Sequence, residues 1–190
     1  MSSAQERPLR ADAARNRARL LDVATEVFTT RGVDVPTEEI ARAAGVGVGT
    51  LFRHFPTKEA LLGAVMVRRL ETIAAQTARL AAEAGPSDAF FGCFRLVVDQ
   101  SAGKGEFTRA LAAAGVDAHA PLQESSAVIQ AQLAGLLARA QQVRAVRPDL
   151  GLPELIALLA GTSTTMEHLA NDASARERIF EVVFDGLRPR

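Results

Sequence analysis

Apolar residues in this chain recur at three- and four-residue spacings along nearly its whole length, and they rarely alternate. That period belongs to amphipathic helices, whereas alternation marks a half-buried strand. Alanine, leucine and arginine are abundant and β-branched runs are short, which favours the same state. The expected fold is all-α. With 190 residues the chain is long enough to bury its own core without staples. Its single cysteine excludes an intrachain disulfide framework and a cysteine-based zinc cluster. The opening Met-Ser-Ser-Ala-Gln-Glu-Arg holds no apolar stretch, so no secretory signal is expected. Apolar runs fall well short of the roughly 18 residues of a membrane span, so no membrane partner is expected. The expected setting is a soluble, cytoplasmic one.

The charges balance, 22 basic against 22 acidic, but not evenly. Residues 1–70 carry 11 basic and 8 acidic side chains, a net +3, and the remainder is net −3. Arg7, Arg10, Arg15, Arg17 and Arg19 lie within 13 residues. Such a run is either a solvated helix start or an end that faces an anion. The residues that follow decide between the two.

Asp12 can cap a first helix whose apolar stripe is Leu20, Leu21, Ala24, Val27 and Phe28, with Gly32 as its stop. Pro36 and Thr37 open a second helix, and Glu38 and Glu39 in its first turn suit the dipole. Ile40, Ala41 and Ala44 face inward, and Gly45 ends it. A third short helix is expected from about Val48 to His54, and Thr57 caps a long fourth. Two short helices joined by a glycine-bearing turn and braced by a longer one make a helix-turn-helix. In that arrangement the third helix reads base edges in the major groove.

On the third helix Leu51 and Phe55, four apart, belong to the core. Gly49, Thr50 and Arg53 fall on another side, with His54 at its edge. Arg53 is the side chain suited to bidentate recognition of guanine. Thr50 suits a phosphate or a thymine methyl. Gly47 and Gly49 let the backbone come close to DNA. Val48 fits either packing inward or contact with a thymine methyl. Lys58 makes a local anion site at a helix N-terminus.

The segment Thr37 to Leu62, TEEIARAAGVGVGTLFRHFPTKEALL, resembles the TetR family of transcriptional regulators. The resemblance rests on Ala44, Gly45, Val46, Gly49, Thr50, Leu51, Phe52, His54, Phe55, Lys58, Glu59, Leu61 and Leu62. It implies a homodimer that binds a palindromic DNA operator and senses a small molecule in a second domain. It also implies His54 as a phosphate contact. The expected DNA-facing set is therefore Thr37, Gly47, Val48, Gly49, Thr50, Phe52, Arg53, His54 and Lys58. Two departures stand out. Phe52 occupies a position where the family usually has tyrosine, so a hydroxyl that would meet phosphate is missing. Gly47-Val48 replaces the polar helix start of many members. Specificity is then expected to lean on Arg53, on Thr50 and on DNA shape.

The chain is expected to divide into a helix-turn-helix domain, residues 1–56, and a helical regulatory and dimerisation domain, residues 57–190. The fourth helix runs to Gly85-Pro86, with Ser87 or Asp88 capping the next. It links the two ends of the protein and is the expected route of allosteric control. Four of the nine phenylalanines lie in residues 87–115, which fits plain core as well as the wall of an apolar pocket. The expected pocket set is Phe90, Phe94, Val98, Phe107, Leu111 and Leu136, with Thr162, Thr165 and Met166 from a later helix. The hydroxyls there fit bonding back to their own helix equally well. Residues 115–121 read as a loop, 122–146 as a helix, and Glu154 to Leu169 as a helix apolar all round. With the last helix it is the expected dimer interface, through Leu155, Leu158, Leu159, Ile179, Phe180, Val183 and Phe184, a bundle about a two-fold axis.

Other chemistry finds little support. His54, His119 and His168 are scattered, so no metal site is expected. Cys93 sits among phenylalanines as a small core residue. No nucleophile has a base and an orienting group in any recognisable motif, so no catalytic residue, cofactor or enzymatic activity is expected. The reading is a ligand-released TetR-like repressor. Its rival is a helical sensor or carrier of apolar molecules that has lost sequence-specific DNA binding.

Overall fold

A computed structural model describes residues 3–101, 110, 119–169 and 172–189, without the side chains of residues 3–11, 13, 119 and 120. The described residues form helices and no strand. The helices are α1 (Ser3–Arg31), α2 (Thr37–Ala43), α3 (Val48–His54), α4 (Lys58–Glu83), α5 (Pro86–Gln100), α6 (His119–Gln142), α7 (Leu152–His168) and α8 (Ala173–Leu187). They belong to two compact units, and the division within α4 falls between Arg68 and Arg69.

The first unit buries Leu20, Leu21, Ala24 and Phe28 of α1 with Ile40 and Ala41 of α2, Leu51 of α3 and Leu61, Leu62 and Val65 of α4. Helices α1, α2 and α3 pack on one another in every pairing. One expectation fails at the start. Asp12 caps nothing, because α1 begins nine residues earlier, at Ser3. Alanine, arginine, glutamate and glutamine are strong helix formers, so the helix continues through this stretch. Asp12 instead pairs with Arg15 on the helix surface.

The second unit has a continuous core. Leu70 and Ile73 of α4 meet Phe90, Cys93, Phe94 and Val98 of α5, Leu133, Leu136 and Leu137 of α6, Leu155, Leu159 and Met166 of α7, and Phe180 and Leu187 of α8. Each such side chain contributes roughly 1.5–3 kcal/mol by leaving water. Helix α5 packs directly on α7. Its N-cap is Gly85, with Pro86 just inside, rather than the expected Ser87 or Asp88. Proline fits there because its missing N–H would have no partner within the helix. The expected loop over 115–121 is also corrected at its end, since His119, Ala120 and Pro121 form the first turn of α6.

Turns in this unit are held by specific bonds. The Gln141 amide donates to the carbonyls of Arg147 and Leu150, at 3.0 and 2.9 Å. The Arg147 backbone N–H donates to Leu187 at 2.9 Å, which ties the α6–α7 turn to the end of α8. Arg176 reaches Asp99 on α5 at 2.6 Å and the Met166 carbonyl at 3.1 Å. No described helix is long and apolar enough to cross a membrane.

Candidate nucleic-acid interface

The α2–α3 turn follows from its glycine. Gly45 has φ +64°, a left-handed conformation that most side chains resist. The Gly45 N–H bonds Arg42 and the Val46 N–H reaches back to Ala41, each at 3.0 Å. These bonds satisfy carbonyls that the end of α2 would leave open. The chain then reverses through extended Gly47 and enters α3, where the Thr50 N–H bonds the Gly47 carbonyl at 2.8 Å. Phe55, extended and followed by Pro56, stops α3. Thr57 accepts from the Ala60 N–H at 3.1 Å and so caps α4, as the sequence predicts.

Helix α3 is anchored by Leu51 and Phe55, both buried. Its remaining surface carries Val48, Gly49, Phe52 and Arg53 exposed, with Thr50 and His54 partly so. Arg42, Arg53 and Lys58 make no ion pair among the described residues. By contrast Arg31 pairs with Glu39 and Arg68 with Asp22, each at 2.6 Å. Arginine and lysine without an internal partner are available to phosphates or base edges. Gly47 is exposed beside them. Thr37 differs from these residues. Its side chain is buried at 7% exposure, with its hydroxyl 3.4 Å from Glu38, because the first turn of α2 packs inward. Val48, by contrast, does not pack inward; it is exposed.

One residue of this end was not singled out beyond the arginine run. The Arg17 guanidinium lies 5.1 Å over the Phe55 ring. It braces the end of α3 from α1, a pairing across 38 positions that no local spacing reveals.

Comparison with known proteins decides the family. Residues 20–65 match the family described as bacterial regulatory proteins, tetR family, and residues 85–189 match the transcriptional regulator SbtR-like C-terminal domain. The chain belongs to the TetR family of transcriptional regulators. A TetR transcription regulatory protein from Mycobacterium vanbaalenii is 41% identical, with 96% of this chain and all of that one covered, at a TM-score of 0.76. The TetR regulator SCO0520 from Streptomyces coelicolor is 35% identical over 91% of this chain and 98% of its own, at a TM-score of 0.75. RolR, solved with the ligand resorcinol, is 26% identical over 92% and 87%, at a TM-score of 0.57. An HTH-type transcriptional regulator of Staphylococcus aureus is 39% identical over 69 residues. The match spans just over a third of that protein's length. This TetR-family chain is a regulator rather than an enzyme, with a helix-turn-helix ahead of a helical C-terminal domain.

The second unit of this TetR-family chain sorts the remaining expectations. Phe90, Phe94, Val98, Leu136, Thr162 and Met166 are all buried in one unit. Phe107 and Leu111 lie outside the described residues. Thr165 does not join them; it is exposed and its hydroxyl bonds the Gly161 carbonyl at 3.0 Å. Ser163 and Thr164 bond back to Leu159 and Ala160 in the same way. Cys93 is buried 3.4 Å from the Thr77 hydroxyl, and burial raises its pKa. Of the expected dimer residues, Leu155, Leu159 and Phe180 are used up by their own chain's core. Ile179, Val183 and Phe184 are half-buried against it. Leu158 is exposed on α7, and Val182 is the most exposed large apolar residue on α8. At the α5–α8 edge Arg95 stacks 4.2 Å over the Phe180 ring and pairs with Glu177 at 2.5 Å. That bond holds the Glu177 carboxyl below its ordinary range.

Proposed function

We propose that this chain binds a palindromic operator as a homodimer and acts as a cytoplasmic repressor released by a small apolar ligand. The observation that carries the reading is α3. It is anchored by Leu51 and Phe55 and presents Arg53, which has no ion-pair partner among the described residues, with Lys58 at the start of α4. Arg53 reads a guanine edge; Lys58 and His54 meet phosphates. Two such helices, one from each protomer, enter successive major grooves about 34–36 Å apart.

The exposed face of α7, with Ala157, Leu158 and Gly161, and Val182 of α8 are the surfaces suited to a second copy. Small residues let helices approach closely, and the two exposed apolar side chains gain by burial. The regulatory and dimerisation domain is residues 57–190 and the DNA-binding domain residues 1–56. A ligand among Phe90, Phe94, Val98, Leu136, Thr162 and Met166 would be largely apolar. RolR's capture of resorcinol supports a small-molecule effector. The ligand changes DNA affinity only as far as it binds two states of the protein unequally.

Selection from a random duplex pool with the purified protein tests this. An enriched inverted repeat, bound by two chains, is expected. Sequence-blind binding by a single chain would favour the rival, a helical sensor without a DNA code.

A further inference from the structure

We propose that Val48 and Phe52 read the C5-methyl groups of two thymines in each half-site of the operator. This rests on the DNA-reading role proposed for α3. The two side chains are 37% and 39% exposed, and they lie at i and i+4, on one side of the helix. They are the large apolar side chains left exposed among the described residues of the first unit. The others, Val128, Val143, Leu158 and Val182, belong to the second. Phe52 stacks on no ring and no cation among the described residues.

The surroundings fix what can meet them. Gly49 lies beside the pair on the exposed surface, and a Cβ there would touch nothing within 4 Å, so a base edge can approach. Arg53 follows immediately and brings the helix to polar base edges. Phe52 carries no hydroxyl and offers only carbon to the groove. Among base edges in the major groove, thymine alone presents a carbon substituent, its C5-methyl. Burying Val48 and Phe52 against polar edges would strand those edges without hydrogen bonds, whereas a methyl gains by the contact.

The test uses the full chain and the duplex it selects. Each thymine is replaced in turn by deoxyuridine, which removes the methyl and keeps the pairing edge. Loss of one buried methyl is expected to weaken binding about fourfold, at two positions per half-site. Val48→Ala should abolish the thymine-over-uracil preference at one position and Phe52→Ala at the other. Both side chains are surface residues, and unchanged thermal melts will show that the variants fold. A duplex that is selected and bound but indifferent to every deoxyuridine overturns the inference and leaves the DNA-reading role intact. So does equal weakening of thymine and uracil duplexes by Phe52→Ala, which would mark a sugar contact. Failure to select any duplex sinks the DNA-reading role and this inference with it.

Discussion

Arg17 on α1 stacks its guanidinium 5.1 Å over the ring of Phe55, the residue that ends α3. The contact joins the arginine-rich stretch of α1 to the end of α3. A cation–π pair at an exposed site contributes about 0.5–1 kcal/mol. Arg17→Ala is expected to lower stability by that amount in a denaturant titration. Phe55→Ala, which empties a buried site, is expected to cost about 3–5 kcal/mol. An Arg17→Ala midpoint equal to wild type would remove Arg17 as a brace.

Gly45 makes the α2–α3 turn at φ +64°, and a Cβ there would meet no neighbour within 4 Å. Gly45→Ala therefore carries a purely conformational penalty, about 1–2 kcal/mol. Arg144 is the opposite case, a non-glycine residue at φ 57° after α6. Arg144→Gly is expected to stabilise by up to about 1 kcal/mol, since glycine's greater unfolded freedom offsets part of the relief. Thermal melts that move both variants in the same direction would contradict this assignment.

The helix-turn-helix was legible because its signals are local. The glycine stop, the Thr57 cap and the Leu51–Phe55 spacing each act within a few residues. They place α2, α3 and the start of α4 as observed. The burial of Thr37 was not legible, because position alone puts it at a helix start, while burial depends on what α2 packs against. How the expected dimer residues divide between core and surface was hidden for the same reason. A run such as Leu155 to Leu159 shows that a helix is apolar all round, but not which side its own core takes. Here Leu155 and Leu159 turn inward and Leu158 outward. Contacts such as Arg17 with Phe55, or Arg95 with Phe180, join distant positions and leave no periodic trace.

The Arg95 bond lowers the folded-state pKa of Glu177 below its unfolded value. A depressed carboxylate contributes stability that is fully present above the unfolded value, near 4.5, and is lost as pH falls through the folded one. Glu177→Gln should therefore lower stability at neutral pH and flatten its decline below pH 4.5. A wild-type decline that Glu177→Gln leaves unchanged would show that the pair carries no such linkage.

Cys93 is fully buried beside Thr77, and burial holds its thiol above the ordinary range. The thiolate is the reactive form, so the folded protein should resist alkylation. Modification should begin only where unfolding does. Rapid labelling of native protein would contradict the packing of α5.

Lys58 stands at the start of α4 without an ion-pair partner among the described residues. Lys58→Ala is expected to weaken binding to all duplexes alike and to reduce the salt slope by about 1. An unchanged slope would take Lys58 off the phosphate surface.

The central claim is that α3 reads sequence through Arg53. Its most direct test compares wild type and Arg53→Ala on the selected palindrome and on a scrambled duplex of equal composition, at one fixed salt concentration. Wild type should prefer the palindrome by at least about 10³-fold. Arg53→Ala should lose about 1–3 kcal/mol for each guanine it reads on the palindrome, and little on the scramble. Equal losses on both duplexes, or none on either, would contradict the account.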